Sequence, residues 1–309
     1  MIFYYNSNCM NIYDCFMYFD EDLLLDLRLN VLEKSVKKFV ITEANYMHDG
    51  SARKLKFDLS NFKKFKDKII YIPVTNPPPN IREIKKSDTE HQVNVKKILN
   101  AWSREKYQRD MLKNGLIQSQ DDDFIFISDV DEIPNLDNLN LNNVKNRKLI
   151  FKQKMIYWKF NLCYEEYIWH GTKACRKKDF ISPNWMRDIK NKKYEKWRFD
   201  TLFSKKKYND IFFVNNGGWH FTNIKTPEEI QEKLTKYLHH AEYQESGLQV
   251  NDIKEIMKNK KVPYNHNLKK SASSKSKWGA YKNLNKIDFQ ELPSYIGSNK
   301  KKYKDWLDL

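Results

Sequence analysis

The tightest constraint in this chain is one short run, Asp121-Asp122-Asp123-Phe124-Ile125-Phe126-Ile127-Ser128-Asp129-Val130-Asp131-Glu132-Ile133-Pro134. Four apolar residues in succession, bracketed by acids, read as a strand buried on both faces, the pattern of a parallel sheet covered by helices. Open α/β sheets bind ligands beyond the carboxyl ends of their strands, so the acids on the exit side stand where chemistry is expected. In an extended chain Asp129 and Asp131 are i and i+2 and point to one side. Two carboxylates held together raise each other's pKa unless a cation lies between them. A hard divalent ion, Mg²⁺ or Mn²⁺, with oxygen ligands from the acids and from substrate phosphates, resolves that repulsion.

The first half of the chain alternates strand and helix patterns. Asn11 to Phe19 reads as a strand closed by Asp20-Glu21-Asp22, and Leu24, Leu27, Val31 and Val36 mark a helix from Asp22 to Val36. Lys38 to Glu43 and Lys68 to Val74 are further strands, the latter stopped by Pro77-Pro78-Pro79. A long helix from about Gln92 ends near Gly115, a residue suited to the C′ position. Such alternation predicts βαβ units on a Rossmann-type, mostly parallel sheet with helices on both faces. Beyond it, Lys148 to Phe160 and Asp210 to Phe221 are strand-like and aromatic, which predicts antiparallel additions in the C-terminal half. Thr226-Pro227-Glu228-Glu229 opens a helix with a capping box and runs to about Gln244. The expected organisation is a catalytic domain over 1–250, its halves meeting near 135, and a Lys-rich segment over 251–309 that packs on it or trails from it.

Composition narrows the function classes. The 309 residues carry 56 Lys and Arg against 40 Asp and Glu, and the +16 excess is scattered Lys with no stripe, which argues against specific nucleic-acid binding. Four cysteines without a CxxC pair predict reduced thiols and no zinc site. No stretch approaches the ~20 apolar residues of a membrane span, and Met1 to Asn6 lacks the features of a signal peptide, so a soluble, cytoplasmic protein is expected, with peripheral membrane contact left open. An EF-hand is disfavoured by Pro134 where Gly is required and Asn140 where Glu is required. A haloacid-dehalogenase-type phosphohydrolase, with Asp129 as nucleophile and Asp131 as acid/base, would need a later Gly-Asp motif that the sequence lacks. A basic protein that merely binds glycans or nucleic acid is the third reading.

A series of segments resembles glycosyltransferase family 17. It comprises Ile12 to Phe16, Asp22-Leu23-Leu24, Arg28-Leu29, Phe39 to Glu43, Gly50, Glu105, Gln108-Arg109-Asp110, Ser128 to Pro134, Gly218-Trp219-His220-Phe221, His240, Glu242, and Leu292 to Ile296. The resemblance implies a GT-A-like fold, a nucleotide-sugar donor (UDP-GlcNAc in characterised members), a glycan acceptor, a divalent metal at Asp-x-Asp and inversion at the anomeric carbon. Together with the Lys- and Asn-rich composition it suggests a bacterial or large-DNA-virus member.

Roles follow from the chemistry such a reaction needs. Asp129 and Asp131 would hold the metal beside the leaving diphosphate, and Asp129 would also face the donor. Arg109 offers a bidentate clamp for phosphate, although Glu105 four residues earlier is an ordinary helix partner. Glu43, at a strand end, is expected near the nucleoside. The general base lies among Glu132, Asp200, His220 and Glu242 without a choice between them. His220, after Gly217-Gly218-Trp219, is alternatively a third metal ligand or a packed core residue, the glycines allowing close backbone approach to a ligand. Trp158, Trp169, Trp185 and Trp197 could stack on sugars or simply fill the core.

Overall fold

The computed structural model describes residues 10–309 except 138, 237–242, 244–245, 267–276 and 280. The apolar run forms strand β4 (Phe124–Asp129), buried from Phe124 to Ser128. It pairs in parallel with β1 (Ile12–Met17), which pairs with β2 (Lys38–Ala44), and β2 pairs with β3 (Ile69–Val74), again in parallel. Helix α1 (Asp22–Leu32) links β1 to β2; it has neither Gly nor Pro, and Leu24, Leu25, Leu27, Leu29 and Leu32 are buried against the sheet. It stops at Leu32, a turn short of Val36.

Helix α2 (Glu90–Asp110) starts with a capping box between Thr89 and Gln92. It ends at Asp110 and continues as a 3-10 turn over Met111–Leu116, so Gly115 is not its C′ residue. Gly115 is there because a Cβ would lie 2.3 Å from Val40 Cγ1, and only Gly lets this turn press onto β2.

The second half supplies the antiparallel strands. β7 (Leu162–Arg176) runs antiparallel to β4 on one side and to β6 (Lys148–Tyr157) on the other. β8 (Ile211–Val214) and β9 (Gly218–Thr222) both pair with β6 in parallel, and β5 (Glu132–Pro134) lies antiparallel to β9. The sheet order is β3-β2-β1-β4-β7-β6-β9-β5, in a mixed α/β fold whose first four strands are wholly parallel. The region 210–221 is therefore two strands, broken at Asn215 to Gly217. The aromatic run of β7, Tyr164 to Trp169, lies along β6, beyond the stretch of β7 that pairs with β4.

Three short helices, α3 (Pro183–Asp188), α4 (Pro227–Lys236) and α5 (Val250–Lys258), pack around these strands. The predicted box at α4 is present: Thr226 Oγ1 accepts from Glu229 N at 3.3 Å and Glu229 Oε2 accepts from Thr226 N at 2.8 Å. Its predicted end at Gln244 lies outside the described residues. The C-terminal segment packs on the body: β10 (Asn285–Lys286) pairs with β7, and Ile296 of helix α6 (Ser294–Ser298) and Tyr303 are wholly buried. No helix among the described residues is long and apolar enough to cross a membrane.

Candidate active site

Where β1 and β4 end, the chain opens a cavity of about 380 Å³ lined by Asp129 and Asp131, by Glu105 and Arg109 of α2, by Trp169 of β7, by His220 and Thr222 of β9, and by Glu21 and Lys233. Its floor is the turn at Val130-Asp131 that joins β4 to β5. The two acids therefore reach one cavity across a turn, not along the extended strand expected from their spacing.

Arg28 of α1 supports that turn from beneath. It is fully buried and forks onto Asp14 of β1 through Nε and Nη2, at 2.7 and 2.6 Å. Its Nη1 donates to the carbonyls of Asp129 at 3.1 Å and Glu132 at 2.7 Å, and Nη2 to Ser128 Oγ at 2.5 Å. A rigid planar fork can satisfy an acid and a turn together, which a Lys ammonium cannot. Asp14 and Arg28 lie in segments on which the family resemblance rests, but that they meet is a property of the fold.

Glu132 stands opposite His220 in the β5–β9 register and is completely buried. Its Oε1 accepts from Trp169 Nε1 at 2.8 Å and Arg187 Nη2 at 3.0 Å; its Oε2 accepts from Arg187 Nη1 at 2.6 Å and Asp129 N at 3.0 Å. Both oxygens of this carboxylate are thus doubly engaged, and Glu132, a base candidate from the sequence, braces Arg187, Trp169 and the turn and does not line the cavity. Arg187, which no motif signalled, also donates to Asp129 Oδ2 at 3.0 Å. It sits in the last turn of α3, a helix with Ser182 as its cap and Pro183 at N1. Lys173 of β7 fixes that helix end by donating to the carbonyls of Arg187 and Ile189 at 2.7 and 2.6 Å. Burial, with Arg187 adding to it, lowers the Lys173 pKa to about 7.

Arg109 has the helix partner its spacing suggested and, although buried, also lines the cavity. It pairs with Glu105 at 2.6 Å, and its Nη2 lies 3.6 Å from Asp129 Oδ1. Asp129 Oδ1 and Arg109 Nε are both buried without a hydrogen bond, two polar atoms at the cavity wall that a bound group could satisfy. Burial alone would raise the Asp129 pKa, but Arg187 and then Arg109 reverse this and hold it low. Asp131 likewise resists burial: the His220 imidazole, with Nε2 at 3.6 Å from Oδ1, keeps it at about 2. His220 stacks on Trp169 with ring centroids 4.5 Å apart and lies within reach of Thr222 Oγ1. It is thus both packed and at the site.

The other candidates lie elsewhere. Glu43 is buried behind the loop that follows β2, accepting from the backbone of Lys56 and Phe57, from Tyr71 and from Arg53. It organises that loop and does not line the cavity. Asp200 is exposed, paired with Arg198 and Lys207, and also outside the cavity lining. Glu242 falls outside the described residues. Glu21, which sequence reasoning passed over as a strand-closing acid, lines the cavity instead. Its Oε2 accepts from the backbone of Phe19 and Asp20, and burial raises its pKa. Gly218 does need its freedom, with φ +121, but its close neighbour is the backbone of Ile133 to Asn135 and not a ligand.

Among the described residues no three His, Cys, Asp or Glu side chains gather as a ready-made metal cage. A hard cation of the Mg²⁺ type asks for less, since it takes one or two protein carboxylates and completes its shell with water and substrate phosphates. Asp131, with His220 beside it, and the unsatisfied Oδ1 of Asp129 fit that demand.

No curated protein sequence matches the chain closely. The family model described as Glycosyltransferase family 17 matches residues 3–307. That span takes in the acid turn, both arginines that steady it and the C-terminal segment that closes the core. A glycosyltransferase requires a sugar donor and a glycan acceptor, and a cavity with acids, guanidinium groups and an aromatic wall is suited to hold them. On that match the chain belongs to glycosyltransferase family 17 and is a glycosyltransferase.

Proposed function

We propose that the enzyme has a GT-A-like fold and transfers N-acetylglucosamine from UDP-GlcNAc to a hydroxyl of a glycan acceptor, with inversion and with a divalent ion at Asp131. The observation that carries this reading is the convergence of Asp129, Asp131, Arg109 and His220 on one cavity at the carboxyl edge of a parallel sheet. The donor sugar rests on the family resemblance. Asp131 and His220, with Asp129 Oδ1, would hold the ion, which when bound supplies Lewis-acid stabilisation of the leaving diphosphate. Arg109 adds a guanidinium beside the same charge, and its partnerless Nε is free to donate to a phosphate oxygen. Trp169, its indole N–H tied to Glu132, gives the acceptor sugar a fixed apolar face. Glu21 takes the acceptor proton: its raised pKa makes it a better base than an ordinary exposed carboxylate.

Thermal stability with Mn²⁺ and a panel of nucleotide sugars tests the donor. A ligand at 100 times its Kd adds about 2.7 kcal/mol, and this gain should occur with UDP-GlcNAc and vanish in Asp131→Ala. Stabilisation by UDP-GlcNAc undiminished by chelation would overturn the metal; stabilisation by another sugar alone would overturn the donor. Glu21→Gln should lower kcat by about 10²–10⁴-fold with donor KM little changed. An unchanged kcat would return the base to His220 or Glu242.

A further inference from the structure

Between α3 and β8 the chain makes a loop whose side chains are arranged the wrong way round for water. Trp197, Phe199, Leu202 and Phe203 are 69, 74, 71 and 89% exposed, while Thr201 between them is buried. Polar groups at the tip pair with one another at the surface: Arg198 forks onto Asp200 at 2.8 and 2.9 Å, and Thr201 donates to the Arg198 carbonyl through both N and Oγ1. The base of the loop is closed, with Lys190 N donating to the Lys206 carbonyl at 2.8 Å and Trp185 Nε1 to the Lys205 carbonyl at 2.6 Å. A loop with closed ends and paired polar groups that still presents four large apolar side chains is a built display. Around it residues 190–207 carry eight Lys and Arg against Glu195 and Asp200 alone.

We infer that the loop 190–207 docks the enzyme on an anionic lipid surface, the aromatic and Leu side chains entering the headgroup boundary and the lysines meeting lipid phosphates. Bilayer interfaces favour Trp and Phe flanked by basic residues, and anionic leaflets attract clustered Lys. The alternatives use only part of this chemistry. Protein interfaces are depleted in Lys. A single-stranded nucleic acid would use the lysines and rings but has no use for Leu202. The loop follows α3, whose last turn carries Arg187 to Asp129, so docking would bring the active-site wall to the membrane. The lipid contact itself does not depend on the donor assigned above.

The test is flotation of the full chain with vesicles of phosphatidylcholine, alone or with one third phosphatidylglycerol. Flotation is expected with the anionic vesicles only, with a blue shift of tryptophan emission absent in Trp197→Phe. Replacing Trp197, Phe199, Leu202 and Phe203 by Ser should abolish it, and Lys192→Ala/Lys193→Ala should weaken it by about five-fold per lysine. The lysine pair tests the idea even if the Ser variant misfolds, which its melting temperature would report. No flotation with anionic vesicles overturns the inference. So does flotation that survives in a folded Ser variant, and so does binding of a uridine oligonucleotide, or self-association, lost in that variant where vesicle binding was never seen.

Discussion

At the turn that carries Asp129, Asp131 and Glu132, two arginines divide the electrostatic work. Arg28 holds the backbone from below and Arg187 holds the side chains from the cavity wall. Removing one partner of a buried pair strands the other, at a cost of about 3–5 kcal/mol. Arg187→Met should therefore destabilise the fold by that order in urea titrations, because Glu132 is wholly buried; adding Glu132→Leu should recover much of it. Asp131 has a different signature. His220 holds its pKa at about 2, below the ordinary 3.8, so its stabilising share is full above the unfolded value and is lost as pH falls from about 4 to 2. Asp131→Asn should flatten that acid limb by about 2 kcal/mol, read from unfolding free energies at successive pH values. An acid limb identical in both proteins would mean the pairing with His220 is not formed in solution.

Elements matter here through two short strands, β5 and β9, which bring Glu132 opposite His220. Their contact depends on Gly218, where a Cβ would fall 2.1 Å from the Ile133 carbonyl at a φ of +121. Gly218→Ala should thus cost about 2–3 kcal/mol and remove activity by pushing β5 away. Gly247→Ala, with φ +76 and nothing within 4 Å, should cost only about 1 kcal/mol of backbone strain and leave turnover intact. Equal losses in the two variants, measured by urea titration and by turnover, would show that packing against β5 is not the reason. This pair also marks what could be read from sequence. Strands β1 to β4 and the Thr226 cap were legible because their signals, an apolar run and a cap three residues from its Glu, are local. Asp129, Asp131, Arg109 and His220 were legible by chemistry and resemblance and do share the cavity. Arg187, Glu21 and the true post of Glu132 were not, since each is set by pairing between residues far apart in the chain. The loop contacts of Glu43 were not legible for the same reason, as nothing local says that the loop at Lys56 and Phe57 folds back to cover it.

For the whole molecule the instructive part is residues 285–309, whose Lys-rich composition gave no hint that they complete the core. Ile287, Leu292, Ile296, Tyr303 and Leu307 are all buried there. The segment is also tied to distant elements: Tyr303 donates to Asp26 of α1 at 3.0 Å, Phe160 N to the Trp306 carbonyl at 2.8 Å, and Trp219 Nε1 to the Glu291 carbonyl at 2.7 Å. Burial of each large side chain is worth about 1.5–3 kcal/mol, so five together match the 5–15 kcal/mol that keeps a typical domain folded. A chain ending at Leu284 should consequently lose cooperative unfolding while keeping much of its far-UV circular dichroism, as a compact state without fixed packing does. Point changes should grade the effect: Tyr303→Phe keeps the ring and loses one hydrogen bond, about 1 kcal/mol, whereas Tyr303→Ala opens a cavity and costs about 3–5 kcal/mol. Because Trp219 adjoins His220 on β9, the same truncation should abolish nucleotide-sugar stabilisation before any catalytic residue is touched. A truncated chain that still melted cooperatively at the parent temperature would make the segment an appendage and place the energetic core wholly within the sheet and its helices.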